Sequence, residues 1–175
     1  MVQYQLRITA ELENLTNLQP QGGFDNPNFT YMFKLKCSCG EVTEKETCVS
    51  YNETVALPTG RGEAHLVQKC KFCTKTGNLT MVTGHGHPLT QEASESGSFT
   101  PAMVFDCRGF EPLQFHFRGA WQAESIEGTK FEGFELTDGE YSDYDEKGKC
   151  PVMISNLCSE FVRLPKELPL KPSAS

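Results

Sequence analysis

What the sequence lacks limits the reading first. No stretch approaches the ~18 consecutive apolar residues of a membrane-spanning helix, which predicts that no membrane is a partner. The opening residues, MVQYQLRITAELE, have neither the basic start nor the apolar stretch of a secretory leader, which predicts a cytoplasmic chain. Positive charge is scarce: 16 Lys and Arg stand against 23 Asp and Glu, for a net charge of -7, and no local cluster of cations offsets that field. Such a surface repels phosphate backbones, so nucleic acid is not an expected partner. Long segments with the period of an amphipathic helix are missing. So are a Gly-rich phosphate loop, G-x-S-x-G, H-E-x-x-H and any acid pair with an obvious cleft, which predicts a protein that is not an enzyme.

What remains is a chain of 175 residues, long enough to bury a core without disulfides. From Val2 to Leu12 apolar and polar residues alternate strictly, the period of a strand with one wet face. Weaker alternation at Tyr31–Cys37, Ala64–Cys70, Leu79–Thr83, Met103–Cys107, Leu113–Phe117 and Val152–Ile154 is punctuated by Gly, Pro, Asn and Asp. The pattern predicts a mostly β, antiparallel sandwich or barrel-like architecture, with MISNLCSEFVRL a possible short helix. The polar, Gly- and Ser-containing stretch around 85–101 predicts a linker between an N-terminal half, 1–84, and a C-terminal half, 102–163. The halves echo each other in MFKLKCSCGEV and AMVFDCRGFEP, which suggests a duplication that sets Cys107 against Cys37. The Pro-rich end, 164–175, predicts a disordered tail. TDGEYSDYDEKGK, from Thr137 to Lys149, reads as a solvated acidic loop or a docking surface for a basic partner.

Eight cysteines carry the chemistry. A cytosolic setting disfavours a disulfide framework and makes chance matches of the glycan acceptor pattern at Asn14, Asn28, Asn52 and Asn78. Cys37 and Cys39 form one tight pair, Cys70 and Cys73 a second, and two such turns supply the four soft ligands of one tetrahedral zinc. Lys69, Lys71 and Lys75 lie near enough to offset thiolate charge, and Gly40 suits a tight turn behind Cys39. The first pair is C-x-C, one residue shorter than C-x-x-C, and predicts a strained corner that an inserted residue would relieve. Cys48 or His65 could substitute as a ligand, and His85 and His87 could hold a metal. Cys48, Cys107, Cys150 and Cys158 have no partner within a turn and read as core or free thiols. Two rivals remain: buried small hydrophobes, and a thiol–disulfide oxidoreductase with CKFC as its couple or a metal-transfer protein using the paired cysteines, for which the short C-x-C would be a weak corner. The couple requires a helix after its second cysteine, whereas TKTGNLTMV reads as a turn and a strand.

ELENLTNLQP, KCSCGEVTEKE, GRGEAHLVQKCKFC, FDCRGFEPLQFHF and YSDYDEK occur in that order and resemble the eukaryotic CXXC-motif zinc-binding protein family, also called DUF866 or UPF0587, from about Val2 to Val162. The resemblance implies a mostly β protein of two similar halves. It also implies one zinc ion in the N-terminal half, on the positions of Cys37, Cys39, Cys70 and Cys73, and a cytosolic protein with a suggested link to copper-chaperone biology. No catalytic residues come with it. Combined with the closed ligand set, it predicts a structural zinc and a job in binding a protein partner.

Overall fold

The computed structural model describes residues 2–165. In chain order the elements are β1 (Val2–Glu13), β2 (Leu15–Pro20), β3 (Thr30–Cys37), β4 (Thr47–Ser50), β5 (Val55–Ala56), β6 (Glu63–Ala64), β7 (Leu66–Lys69), β8 (Thr76–Val82), α1 (Gln91–Glu95), β9 (Thr100–Arg108), β10 (Phe110–His116), β11 (Ala120–Ser125), β12 (Lys130–Glu135), β13 (Tyr141–Asp145) and β14 (Cys150–Arg163). The expected mostly β, antiparallel architecture is the one observed. A six-stranded sheet runs β13-β14-β1-β9-β8-β7; three-stranded sheets β10-β3-β4 and β12-β11-β2 and the hairpin β5-β6 complete the fold.

β1 forms as its alternation demands, with Leu6, Ile8, Ala10 and Leu12 buried. Asn14, in the left-handed region at φ 58, breaks the strand and hands the chain to β2 in another sheet, and its side-chain amide donates to the Pro151 carbonyl at 2.8 Å. The core between the sheets is aromatic. Phe33 on β3 meets Phe105 on β9 and Phe161 on β14 edge to face, with centroids 5.1 and 5.7 Å apart. Fully buried Trp121 packs edge-on against Phe29 and donates its indole N–H to the Arg118 carbonyl at 3.0 Å.

The sequence halves interleave. β1, from the first half, lies between β14 and β9 of the second, and β9 pairs on its other side with β8. The stretch expected as a linker contains α1, capped by the Thr90 hydroxyl, and Leu89 bridges Leu18. MISNLCSEFVRL is strand from Met153 to Arg163, the larger part of β14, and not helix. Its helix-like spacing comes from Asn156, at φ 51, where the register against β1 slips between Thr9 and Glu11. The acidic run is likewise only partly a solvated loop: Tyr141–Asp145 is an edge strand, and Asp145 is 1% exposed, accepting from the Thr129 hydroxyl at 2.6 Å and the Lys147 N–H at 3.1 Å. The predicted disordered tail falls, from residue 166 on, outside the described residues.

Candidate metal centre

One corner of the molecule, where two sheets meet, brings the paired cysteines together. Cys37 ends β3 and sits opposite Phe110 of β10. Cys70 and Cys73 form the tip between the paired strands β7 and β8. β8 pairs with β9, and β9 passes through Gly109 directly into β10, so a single turn joins the sheets that carry the two knuckles. That turn also holds the first knuckle: the Ser38 N–H donates to the Gly109 carbonyl at 3.1 Å.

Each knuckle closes on its own backbone. In the first, the Gly40 N–H donates to the Cys37 carbonyl and the Cys37 N–H to the Glu41 carbonyl, both at 2.8 Å. Gly40, at φ +100, takes the only left-handed position between Cys37 and Glu41. Cys37, Ser38 and Cys39 all keep negative φ, and the short C-x-C closes as a hydrogen-bonded tight turn, which does not favour the expected strained corner. In the second, the Cys70 N–H reaches the Lys75 carbonyl and the Thr74 N–H the Cys70 carbonyl, both at 2.9 Å, while the Cys73 N–H points at the Cys70 sulfur at 3.5 Å.

The result is a cluster of four sulfurs, all within 4.8 Å of one another. Cys37 Sγ lies 3.5 Å from Cys73 Sγ, and Cys39 Sγ lies 3.7 Å from Cys70 Sγ. A tetrahedral zinc with bonds of ~2.3 Å separates its sulfurs by about 3.8 Å, so this donor set can hold one ion. Its electrostatics ask for one. The Cys37 thiol is lowered to about 6, chiefly by the Cys39 backbone N–H at its sulfur, with burial opposing and the other three thiols adding hydrogen bonds. The Glu41 N–H acts on Cys39 in the same lowering sense, but burial and hydrogen bonds with Cys37, Cys70 and Cys73 outweigh it and push Cys39 up to about 12. The first thiolate resists the next, as like charges at one site must, and a dication removes that resistance.

A cleft of about 560 Å³ adjoins the knuckles, lined by Glu41, Lys69, Lys71 and Lys75 among others. Its rim carries Phe72, which the turn leaves 74% exposed. The proposed substitutes lie elsewhere. Cys48 is exposed on β4 opposite Met32. His65 Nδ1 accepts the Met81 N–H at 2.8 Å, its ring stacks on Tyr51, and burial keeps it below the usual imidazole range. Neither belongs to the cluster, nor do His85 and His87. Cys107 is buried in the core, where burial first and the charges of Asp106 and Glu111 next push its thiol well above the ordinary range. The sequence reading missed Phe72 as an exposed tip and Gly77 and Gly109 as the residues that let the sheets approach. A glycine inside the strand pattern TGNLTMV was the available signal.

The eukaryotic family described as CXXC motif containing zinc binding protein matches residues 5–162. The chain belongs to that family. A CXXC motif containing zinc binding protein of Xenopus laevis is 38% identical over 165 residues, covering 93% of this chain and 99% of that protein. The Homo sapiens protein of the same description is 36% identical over 160 residues, covering 90% and 96%. The crystal structure of C1orf123 superposes with a TM-score of 0.82 at 35% identity, covering 93% of this chain and 99% of that one. A hypothetical protein from Plasmodium falciparum, at 23% identity and a TM-score of 0.77, shares the fold over 92% of this chain and 99% of its own. This CXXC zinc-binding family member thus combines a zinc-binding family with four clustered cysteines able to hold the ion.

Proposed function

We propose that Cys37, Cys39, Cys70 and Cys73 together hold one structural zinc ion, and that the protein is a non-enzymatic, zinc-stapled interaction module of the cytoplasm. The observation that carries this reading is the position of the four sulfurs: one cluster, contributed by two sheets, with every sulfur within 4.8 Å of the others. Four thiolates fill the coordination sphere and leave no place for the activated water of catalytic zinc. A thiol oxidoreductase is less well supported, because CKFC sits at a strand-to-strand tip and lacks the helix N-terminus that would activate a thiolate. Protein binding is favoured by the knuckle tip, where a largely exposed Phe72 stands between Lys71 and Cys73 beside an open cleft. An aromatic fixed on a rigid turn is the kind of residue that anchors an interface.

The test is affinity capture from native cytosol, read by mass spectrometry, with the unaltered chain, Phe72→Ser and Cys70→Ser. The reading expects a discrete protein enriched by the first and lost with both variants. The same background from all three would remove the interaction role.

A further inference from the structure

Resting on the zinc reading above, we propose that the centre is a peroxide-sensitive zinc-release site whose oxidation links Cys39 to Cys70 and Cys37 to Cys73. Two sulfur–sulfur contacts, at 3.5 and 3.7 Å, run from one knuckle to the other and use each cysteine once. Each pair needs an approach of only about 1.5 Å to reach the ~2.05 Å of a disulfide. The alternative, one link within each knuckle, would close a ring around the single residue Ser38, inside a turn already held by the bond from Gly40 N–H to Cys37 carbonyl. Accessibility sets the order. Cys39 is exposed and the other three are half-buried, so a small oxidant meets Cys39 first and finds Cys70 as its resolving neighbour.

The chemistry balances with hydrogen peroxide as oxidant. The Cys39 thiolate attacks one peroxide oxygen; the S–O bond forms, the O–O bond breaks, and hydroxide leaves and takes a proton to become water. The Cys70 thiolate then attacks the Cys39 sulfur, the S–S bond forms, the S–O bond breaks, and a second hydroxide leaves as water. With two ligands lost, zinc departs with its charge unchanged, and a second peroxide joins Cys37 and Cys73 in the same way. In all, four thiolates become two disulfides, and two peroxides with four protons become four waters. The new bonds span the junction the metal spanned, from the end of β3 to the β7–β8 tip, so the oxidised, zinc-free chain keeps its two sheets joined.

The test titrates the full-length holoprotein, free of reductant, with hydrogen peroxide, while a chromophoric indicator reads released zinc and peptide mapping reads the disulfides. One zinc released for about two peroxides, Cys39–Cys70 and Cys37–Cys73 links, and recovery on adding a thiol reductant with zinc are the expected result. Retention of zinc under a tenfold excess of peroxide overturns the proposal, as does a Cys70–Cys73 link or oxidation to sulfonic acid without links. A variant with Cys48→Ser and Cys158→Ser, both exposed and outside the cluster, should release zinc unchanged; lost release would place the reactive thiol elsewhere and overturn the proposal as well. Zinc content measured before peroxide tests the zinc reading separately. Were it nil, the map of links formed in the metal-free chain would still decide the pairing.

Discussion

Gly77 of β8 lies so close to Phe110 of β10 that a methyl group added to it would stand 2.7 Å from the Phe110 ring and 2.5 Å from the Arg108 carbonyl oxygen. Phe110 is the residue opposite Cys37, and Gly77 is paired with Gln68, two residues before Cys70. The close approach of these two residues therefore sets the distance between the knuckles. Gly77→Ala should cost about 1–3 kcal/mol of stability, as overpacking does, and should speed zinc loss to a chelator. Ser94→Ala is the control. Its hydroxyl donates to the Ala10 carbonyl and accepts from the Leu12 N–H, far from the metal, so it should destabilise by a similar ~1–3 kcal/mol without altering zinc loss. Equal chelator kinetics in Gly77→Ala and the unaltered chain would show that the approach does not position the site.

Cys70→Ser and Cys73→Ser should each release zinc, whereas Cys150→Ser and Cys158→Ser, outside the cluster, should retain it. At free zinc 100-fold above its dissociation constant the ion contributes about 2.7 kcal/mol, which for a chain of this size lowers Tm by about 5–10 °C when lost. Elemental analysis and a thermal melt check both parts. An empty site in Cys150→Ser would refute the ligand assignment.

The turn at Ser38 makes a prediction opposite to the one its spacing suggests. Because Gly40 already closes a tight turn on Cys37, an extra residue after Ser38 displaces Cys39 from its 3.7 Å approach to Cys70. Zinc should leave the insertion variant faster than the native chain in parallel chelator assays. Slower loss would restore the view of C-x-C as a strained corner.

Ionisation of the metal-free centre has a direction that can be checked by alkylation. The Cys37 thiol is lowered to about 6, so above that pH it is mainly thiolate, while Cys39, pushed up to about 12, stays protonated until far higher pH. Any stability that the Cys37 thiolate gives the metal-free fold is complete above the ordinary thiol range and disappears as pH falls through about 6. In zinc-free protein near pH 7, iodoacetamide should label one thiol of the cluster well before the rest, because the first thiolate formed holds back the next. Equal labelling rates at all four cysteines would contradict this coupling.

Residues whose environment is regular were the legible ones. β1 announced itself because one face is wet and the other dry, and the cysteine pairs because a knuckle is local in sequence. β12 did not: its buried Phe131 and Phe134 are three apart, a spacing foreign to a strand, because the register slips at Gly133, φ 72. β14 was obscured in the same way by Asn156. That the two knuckles share one site was legible from their pairing, but what brings them together was not, since it depends on the β9–β10 turn at Gly109, remote in sequence from all four cysteines. Exposure of Phe72 was equally hidden, as an aromatic between two cysteines reads as core until the turn that turns it outward is seen.

X-ray absorption at the zinc edge of the purified protein tests the central claim most directly. Four sulfur neighbours at ~2.3 Å, with about one zinc per chain, are the predicted result. A shell with a nitrogen or oxygen neighbour, or with only three sulfurs, would contradict a centre built from Cys37, Cys39, Cys70 and Cys73.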